Sequence, residues 1–345
     1  LMQRAGDAVA RIARQLLHNP STTSRILIVA GPGNNGGDAL EAAALLAADG
    51  HDISIVMPLM PANAPADAQR ALGVAQQSAA RFVALTSLSH ASGWHLVIDG
   101  LFGIGLARGI DGELAALIEY MNAQACPRLA IDVPSGLDAD HGTIVGDTRI
   151  AVLASTTLSF IADKPGLHTA QGRDHAGAVI VDTLDIDESL YPPPVAELNT
   201  PQTFRHLAVP RPHASHKGSY GDLSIIGGAS GMGGAILLAA RMGAMAGAGR
   251  VYAGFIDTAP AFDPLHPELM CRDAATLSLS SGAVVAGPGL GLSRDANDML
   301  ARVLACDLPA VLDADALNLI AGEPALQQKI RHRRAPTLLT PHPLE

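Results

Sequence analysis

The residues best suited to chemistry fall in three short clusters. The first is "GPGNNGGDAL" at 31–40, directly after the apolar run "RILIVA". Glycines 31, 33, 36 and 37 permit left-handed backbone and open main-chain N–H groups to a ligand. The turn leads into a helix, whose N-terminus favours an anion. Asp38 stands at that same end, either as a helix cap or as the partner of a hydroxyl-rich group such as ribose. No Gly-Lys-Ser/Thr follows, so this is not a Walker loop, and the two asparagines depart from the usual dinucleotide fingerprint. The second cluster, "VIDGLFGIGLARG", sets Asp99 at a strand end before Gly103, Gly105 and Gly109. Asp99 reads as a cation ligand or as a turn cap. In the third, "AIDVPSGLDAD", Asp132 ends a strand, Pro134 fixes the turn and Ser135 presents a hydroxyl. There is no G-x-S-x-G elbow and no triad order, which argues against a serine nucleophile. Asp132 in a cleft suits general acid–base work. Alternatively, oxygens of Asn35, Asp99, Asp132 and Ser135 would complete a hard cation site.

The elements that carry these clusters are legible as an alternation. Apolar runs at 25–30, 51–58, 94–103 and 127–136 are separated by helix-length segments. That pattern predicts parallel crossover units and a doubly wound sheet, with ligands outside the carboxyl ends of the strands. The polar clusters fall at those ends. "DESLYPPPVAELNTPQ" (187–202) breaks the scheme, because consecutive prolines supply neither ladder nor helix donors. The expected division is a first domain at 1–190, a linker at 191–202 and a second domain at 203–345. The second domain restarts with "DLSIIGGASGMGGAILLAARMGAMAGAG", then "RVYAGF", "AVVAGPGLG", "PAVLDADALNLI" and "PTLLTPHP". It shares a construction style with the first without repeating its sequence.

Composition narrows the classes. The 345 residues are 48% apolar, 16% charged and only 3% aromatic, which suits close-packed helices on sheets. A net charge of −10 without a long basic run argues against nucleic acid as a partner; "RHRR" at 331–334 reads as a solvated helix end. Cys126, Cys271 and Cys306 have no CxxC spacing and read as reduced thiols of a cytoplasmic protein. No apolar run reaches the roughly 20 residues of a membrane span. His213 and His216 lack further ligands for a zinc site and read as a surface loop. Met232, Met242 and Met245 recur at helical spacing and read as core filler. Both ends of the chain read as cut, the first inside an amphipathic helix.

The three clusters, followed by "KPGLHTAQGRDHAG" (164–177), resemble the NAD(P)H-hydrate epimerase family, the YjeF N-terminal domain, over nearly all of 1–190. The resemblance implies a Rossmann-like three-layer αβα sandwich. It also implies interconversion of the R and S epimers of NAD(P)HX, in which the nicotinamide ring is hydrated at C6. By the same resemblance Asn34, Asn35, Gly36, Gly37 and Asp38, with Gly103, Ile104, Gly105, Leu106, Ala107, Arg108 and Gly109, hold the damaged dinucleotide. Potassium sits on Asn35, Asp99 and Ser135. Asp132 touches the ring and is the acid–base, since epimerising a carbinolamine carbon moves protons and needs no nucleophile.

The second half resembles the ADP-dependent NAD(P)HX dehydratase, a ribokinase-like α/β fold, through "HKGSYGDLSIIGGASGMGGA", "HPELM", "AGPGLG", "VLDADALNLI" and "TPHPLE". That resemblance implies phosphorylation of the S-hydrate hydroxyl by ADP (or ATP) with magnesium, followed by loss of phosphate. Ala235, Gly289 and His342 would touch the hydrate, with Asp313 and Asp315 near nucleotide and metal; Asp315 alternatively caps a helix. The family's lysine-containing segment and "GTGD" motif, whose aspartate is the base, do not occur here. The expectation is a partial ribokinase-like domain, a fragment of a longer bifunctional repair enzyme whose dehydratase half is idle as it stands. Family habit adds a homo-oligomer. The rival readings are a non-catalytic nucleotide-binding module and a sugar or vitamin kinase, which "TPHP" fused to "GPGNNGGD" disfavours.

Overall fold

"RILIVA" is apolar at every position but the first, as a strand covered on both faces requires. It forms β1 (Arg25–Ala30), buried from Ile26 onward. The computed structural model describes residues 1–17, 23–59, 64–90, 93–207 and 209–342. The chain divides into two units, residues 1–198 and 199–345, so the division falls within the proline-bearing stretch.

In the first unit the order is α1 (Met2–Leu16), β1, α2 (Asn34–Ala48), β2 (Asp52–Val56), α3 (Ala66–Gln77), β3 (Arg81–Phe82) and β4 (Leu96–Gly100). Then follow α4 (Gly112–Asn122), β5 (Arg128–Ile131), β6 (Thr156–Phe160), the single turn α5 (Gly172–His175) and β7 (Ala178–Asp182). The seven strands lie in the order β3-β2-β1-β4-β5-β6-β7, every pair parallel. Alternate residues feed opposite faces. Ile26, Ile28, Ile53 and Ile98 pack under α1, α2 and α3, while Leu27, Val29 and Val97 pack against Leu117, Ile118 and Met121 of α4. Helices on both faces make the expected three layers.

The second unit runs α6 (Pro201–Phe204), β8 (Asp222–Gly227), α7 (Gly233–Met245), β9 (Arg250–Phe255), β10 (Met270–Asp273) and β11 (Ala283–Ala286). It continues with α8 (Arg294–Ala305), β12 (Ala310–Leu312), α9 (Asp315–Gly322), α10 (Pro324–His332) and β13 (Thr337–Leu339). Its parallel sheet has the order β10-β9-β8-β11-β12-β13. Counted from its own first strand, this is the order 3-2-1-4-5-6, that of the first unit without its seventh strand. Ile225, Ala253 and Phe255 meet Ile236 and Ala240 of α7; Ile226, Val284 and Leu312 meet α8, α9 and α10 on the other face.

Two expectations are corrected here. The methionines are not core: Met232, Met242 and Met245 are 40, 64 and 77% exposed, because α7 fully buries only its Ile236 and Ala240 side. Nor is all of "RHRR" solvated. The Arg333 guanidinium donates to the carbonyls of Val303 (2.8 Å) and Cys306 (2.6 Å), closing the C-terminus of α8, and also to Leu308 O. His213 and His216 are exposed, and the three cysteines are free and half-buried. No helix among the described residues is long and apolar enough to cross a membrane.

Candidate active site

The first sheet reverses its strand order between β1 and β4, and a cavity of about 700 Å³ opens at the carboxyl ends there. Pro32–Asn35 and Asp38 form one wall and Leu101–Leu106 the facing one. Asp132, Phe160, Ile161 and Lys164 close a third side, and Leu1, Met2 and Ala5 of α1 a fourth.

Asp132 is held by unusual backbone. It has φ +68°, and Val133 N donates to Ile131 O at 2.8 Å, a classic γ-turn at the end of β5. The neighbouring strand ends the same way: Ile161 has φ +70° and Ala162 N donates to Phe160 O at 2.8 Å. A β-branched residue at positive φ is a strained outlier. The two kinks bring Lys164 onto Asp132, with Nζ 2.8 Å from Oδ1 and both side chains 16% exposed. The same ammonium donates to Ser159 Oγ (2.7 Å), Phe160 O (3.2 Å) and Ala162 O (3.3 Å). The other oxygen, Oδ2, faces Gly103, where a Cβ would stand 3.4 Å from it and 3.4 Å from Asn35 Oδ1. Bare backbone at 103 therefore lies between the Asn35 amide and the Asp132 carboxylate.

Beneath this wall Asp99 is fully buried at the end of β4. Its Oδ1 accepts from Ser135 Oγ (2.6 Å) and Leu101 N (3.1 Å), and its Oδ2 from Ser135 N (2.8 Å). Burial pushes the carboxyl up to about 6, and the hydrogen bonds from Ser135 and Leu101 pull it part of the way back. Asp99 is thus a turn cap at the least. Ser135 Oγ also lies 3.1 Å from Phe102 O. Asn35 Nδ2 is buried without a hydrogen-bond partner. A carboxylate, a hydroxyl and a carbonyl, with the Asn35 amide oxygen beside Gly103, make an oxygen-rich donor set that fits a hard cation and lacks the nitrogen and sulfur of a zinc site. No three His, Cys, Asp or Glu residues converge as a metal cluster among the described residues.

Asp38 does not cap α2, whose N-cap is Gly33 with no side-chain bond. It is 9% exposed and lines the cavity. Burial first, then the charges of Asp132 and Glu41, push its carboxyl up to about 8.

Not every residue of the glycine-rich stretches faces the cavity. Gly36 and Gly37 lie in the first turn of α2, turned to Gly31 and Met2, and none of glycines 31, 33, 36 and 37 takes positive φ. Their function is close approach: a Cβ on Gly31 would fall inside the Leu101 carbonyl oxygen. Gly103, Ile104, Gly105 and Leu106 line the cavity, whereas Ala107, Arg108 and Gly109 do not; Gly109 packs on Val145 and Gly146.

Lys164 is the residue that sequence reasoning passed over. A signal was present, since the whole chain has only three lysines and Lys164 is the sole one before Lys217. A scarce cation directly after a buried strand was the clue.

In the second unit the corresponding strand ends carry the other candidates. Gly289 has φ +60° and abuts Ala235, and Gly289 O accepts from Ala229 N at 2.8 Å. A pocket of about 410 Å³ lies alongside, lined by Gly228–Gly231, Gly233, Phe255 and Asp257. Asp315 Oδ2 accepts from Gly291 N (2.8 Å), tying the start of α9 to the glycine loop after β11 rather than capping the helix. Asp313 Oδ1 accepts from Thr340 Oγ1 (2.7 Å). His342 is exposed two residues after Thr340, and Pro343, Leu344 and Glu345 of "TPHPLE" lie outside the described residues.

Two doubly wound α/β units with their polar groups at the switch point define a two-unit enzyme of the nucleotide-handling class. Residues 1–166 match the family described as YjeF-related protein N-terminus, and residues 223–345 that described as NAD(P)H-hydrate dehydratase. A bifunctional NAD(P)H-hydrate repair enzyme of Coxiella burnetii is 36% identical, over 100% of this chain and 70% of its own. That of Escherichia coli is 33% identical, over 100% and 66%. An NAD(P)H-hydrate epimerase of Achromobacter xylosoxidans is 44% identical over 54% of this chain and 86% of its own. Among solved structures, a Bacillus subtilis ADP/ATP-dependent NAD(P)H-hydrate dehydratase co-crystallized with ATP/Mg2+ is 33% identical over 39% of this chain and 48% of its own, with a TM-score of 0.30. The chain belongs to the bifunctional NAD(P)H-hydrate repair enzyme family, and it spans about two thirds of the length of these bifunctional relatives.

Proposed function

We propose that residues 1–198 epimerise R- and S-NAD(P)HX, with Asp132 as the acid–base. One observation carries this reading: Asp132 is fixed at the cavity wall by a γ-turn, with Lys164 on one oxygen and the other facing bare backbone. Such a carboxylate can exchange a proton with a ligand hydroxyl without shifting. The wall of Asn34, Asn35 and Gly103–Leu106 offers main-chain and amide groups to the dinucleotide. Potassium, when bound, supplies positive charge near the ring; Asn35, Asp99 and Ser135 would hold it.

The second unit corresponds to an ADP-dependent dehydratase (ADP or ATP with magnesium), with Ala235, Gly289 and His342 at the hydrate and Asp313 and Asp315 near the nucleotide. A homo-oligomer in the cytoplasm completes the proposal.

The test is chiral-resolving chromatography of R-NADHX incubated with this chain and potassium, with and without ADP and magnesium. Appearance of the S epimer without nucleotide is the expected result. An unchanged R epimer, relative to a protein-free control, would refute the epimerase reading.

A further inference from the structure

Two carboxyls face the same cavity in opposite circumstances. Asp132 has an ammonium at 2.8 Å. The side chain of Asp38, nine-tenths buried on α2, makes no hydrogen bond or ion pair with any described residue, and it lines the cavity. A largely buried carboxyl without a protein partner is left to solvent or to a ligand in the cavity. Nothing in the packing of α2 accounts for it, since the helix is started by Gly33 and not by Asp38.

We infer that Asp38 is a second catalytic carboxyl, the proton donor that complements Asp132 as acceptor. The inference rests on the epimerase reading and deepens it.

The chemistry needs such a pair. In the hydrated ring C6 carries a hydroxyl and is bonded to N1. Asp132 takes the hydroxyl proton, the O–H electrons form a C6=O bond, the C6–N1 bond breaks, and its electron pair passes to N1. N1 takes the proton of Asp38. Rotation about C5–C6 presents the other face of the aldehyde. N1 then attacks C6 while returning its proton to Asp38, and the oxygen recovers its proton from Asp132. Both carboxyls end as they began, and neither an oxidant nor a co-reactant is consumed. The groups around Asp38 favour this division. Asp132 and Glu41 oppose a negative charge on it, and Glu41 is itself paired with Arg70 at 3.3 Å. Asp67 lines the cavity from α3 with an exposed side chain. Lys164 is engaged by Asp132. With the carboxyl raised to about 8, Asp38 keeps its proton at neutral pH and loses it as pH rises through that value. A carboxyl paired with a cation and one without a protein partner can divide the base and acid roles between them.

The experiment compares the wild-type chain with Asp38→Asn in R-NADHX epimerisation across pH 6 to about 10, resolving kcat from KM. Expected are a kcat at least about 100-fold lower with KM within about threefold. The wild-type rate should fall above about pH 8, a limb absent from the residual activity of the variant. A variant with near wild-type kcat and a raised KM would reduce Asp38 to a hydroxyl-binding contact and overturn the inference. Persistence of the alkaline limb in the variant would do the same. Should the variant misfold, infrared spectroscopy of the wild type at pH 7 decides: a protonated-carboxyl stretch that disappears above pH 8 is expected, and its absence overturns the assignment. A wild type inert toward R-NADHX would sink the epimerase reading and this inference with it, whereas an active wild type matched by Asp38→Asn sinks the inference alone.

Discussion

The two units share a blueprint and differ in what they place on it. Each sheet has the 3-2-1-4-5-6 order, with a seventh strand added in the first, and at the end of each first strand a glycine is pressed on a carbonyl oxygen after the fourth: Gly31 on Leu101, Gly227 on Pro288. From that common crossing the chemistry diverges. The first unit fills its cleft with ionisable groups, in Asp38, Asp132 and Lys164 above a buried Asp99. The second presents glycine backbone between β8 and β11 and uses its aspartates to tie loops together, Asp315 to Gly291 and Asp313 to Thr340. A site that moves protons needs groups whose environments set them apart; a site that cradles a ligand needs open N–H groups.

The shared crossing is the part whose loss should cost most. Gly31→Ala and Gly227→Ala each drive a Cβ into a backbone oxygen that cannot swing away, so each should destabilise its own unit by about 3 kcal/mol or more. Gly33→Ala, which meets nothing within 4 Å, should change stability by less than about 0.5 kcal/mol. Thermal melting of the three variants checks this, and a tolerated Gly227→Ala would break the parallel between the units. Next in size is Lys164→Met, which leaves Asp132 without its cation. Epimerisation should drop about 100-fold while the properties of the second unit stay unchanged. Lys164→Arg should not restore it, because a planar fork cannot replace a point donor among four oxygens. The smallest effect belongs to the second unit. Met242→Lys on the outward face of α7 should shift stability by less than about 0.5 kcal/mol in chemical denaturation. A loss of several kcal/mol there would mean that the methionine face is covered after all.

The strands bearing the polar clusters were legible because buried parallel strands read as unbroken apolar runs. β6 was not, because "TTLSF" is polar at three positions, although all five residues are buried. Thr157 Oγ1 satisfies itself on Ala176 O (2.7 Å) and Ser159 Oγ on Ala162 O (3.1 Å), bonds that no linear pattern announces. The positions of Asp99, Asp132 and Ser135 at strand ends could be read from spacing. The γ-turns that aim Asp132 and bend the chain around Lys164 could not, since nothing in the residue types demands positive φ at Asp132 or Ile161. The methionine stripe misled for a simpler reason. Helical periodicity marks a face without saying whether anything lies against it.

The Asp132–Lys164 pair also settles an account that the chain as a whole leaves open. With a net charge of −10, the protein should repel a ligand that carries phosphates. On the inner wall, however, those two charges cancel, and below about pH 8 Asp38 contributes none. An acidic protein thereby offers an anionic guest a wall whose central pair carries no net charge, and alkali would close that door by adding one negative charge at Asp38, not by moving a single atom of the backbone.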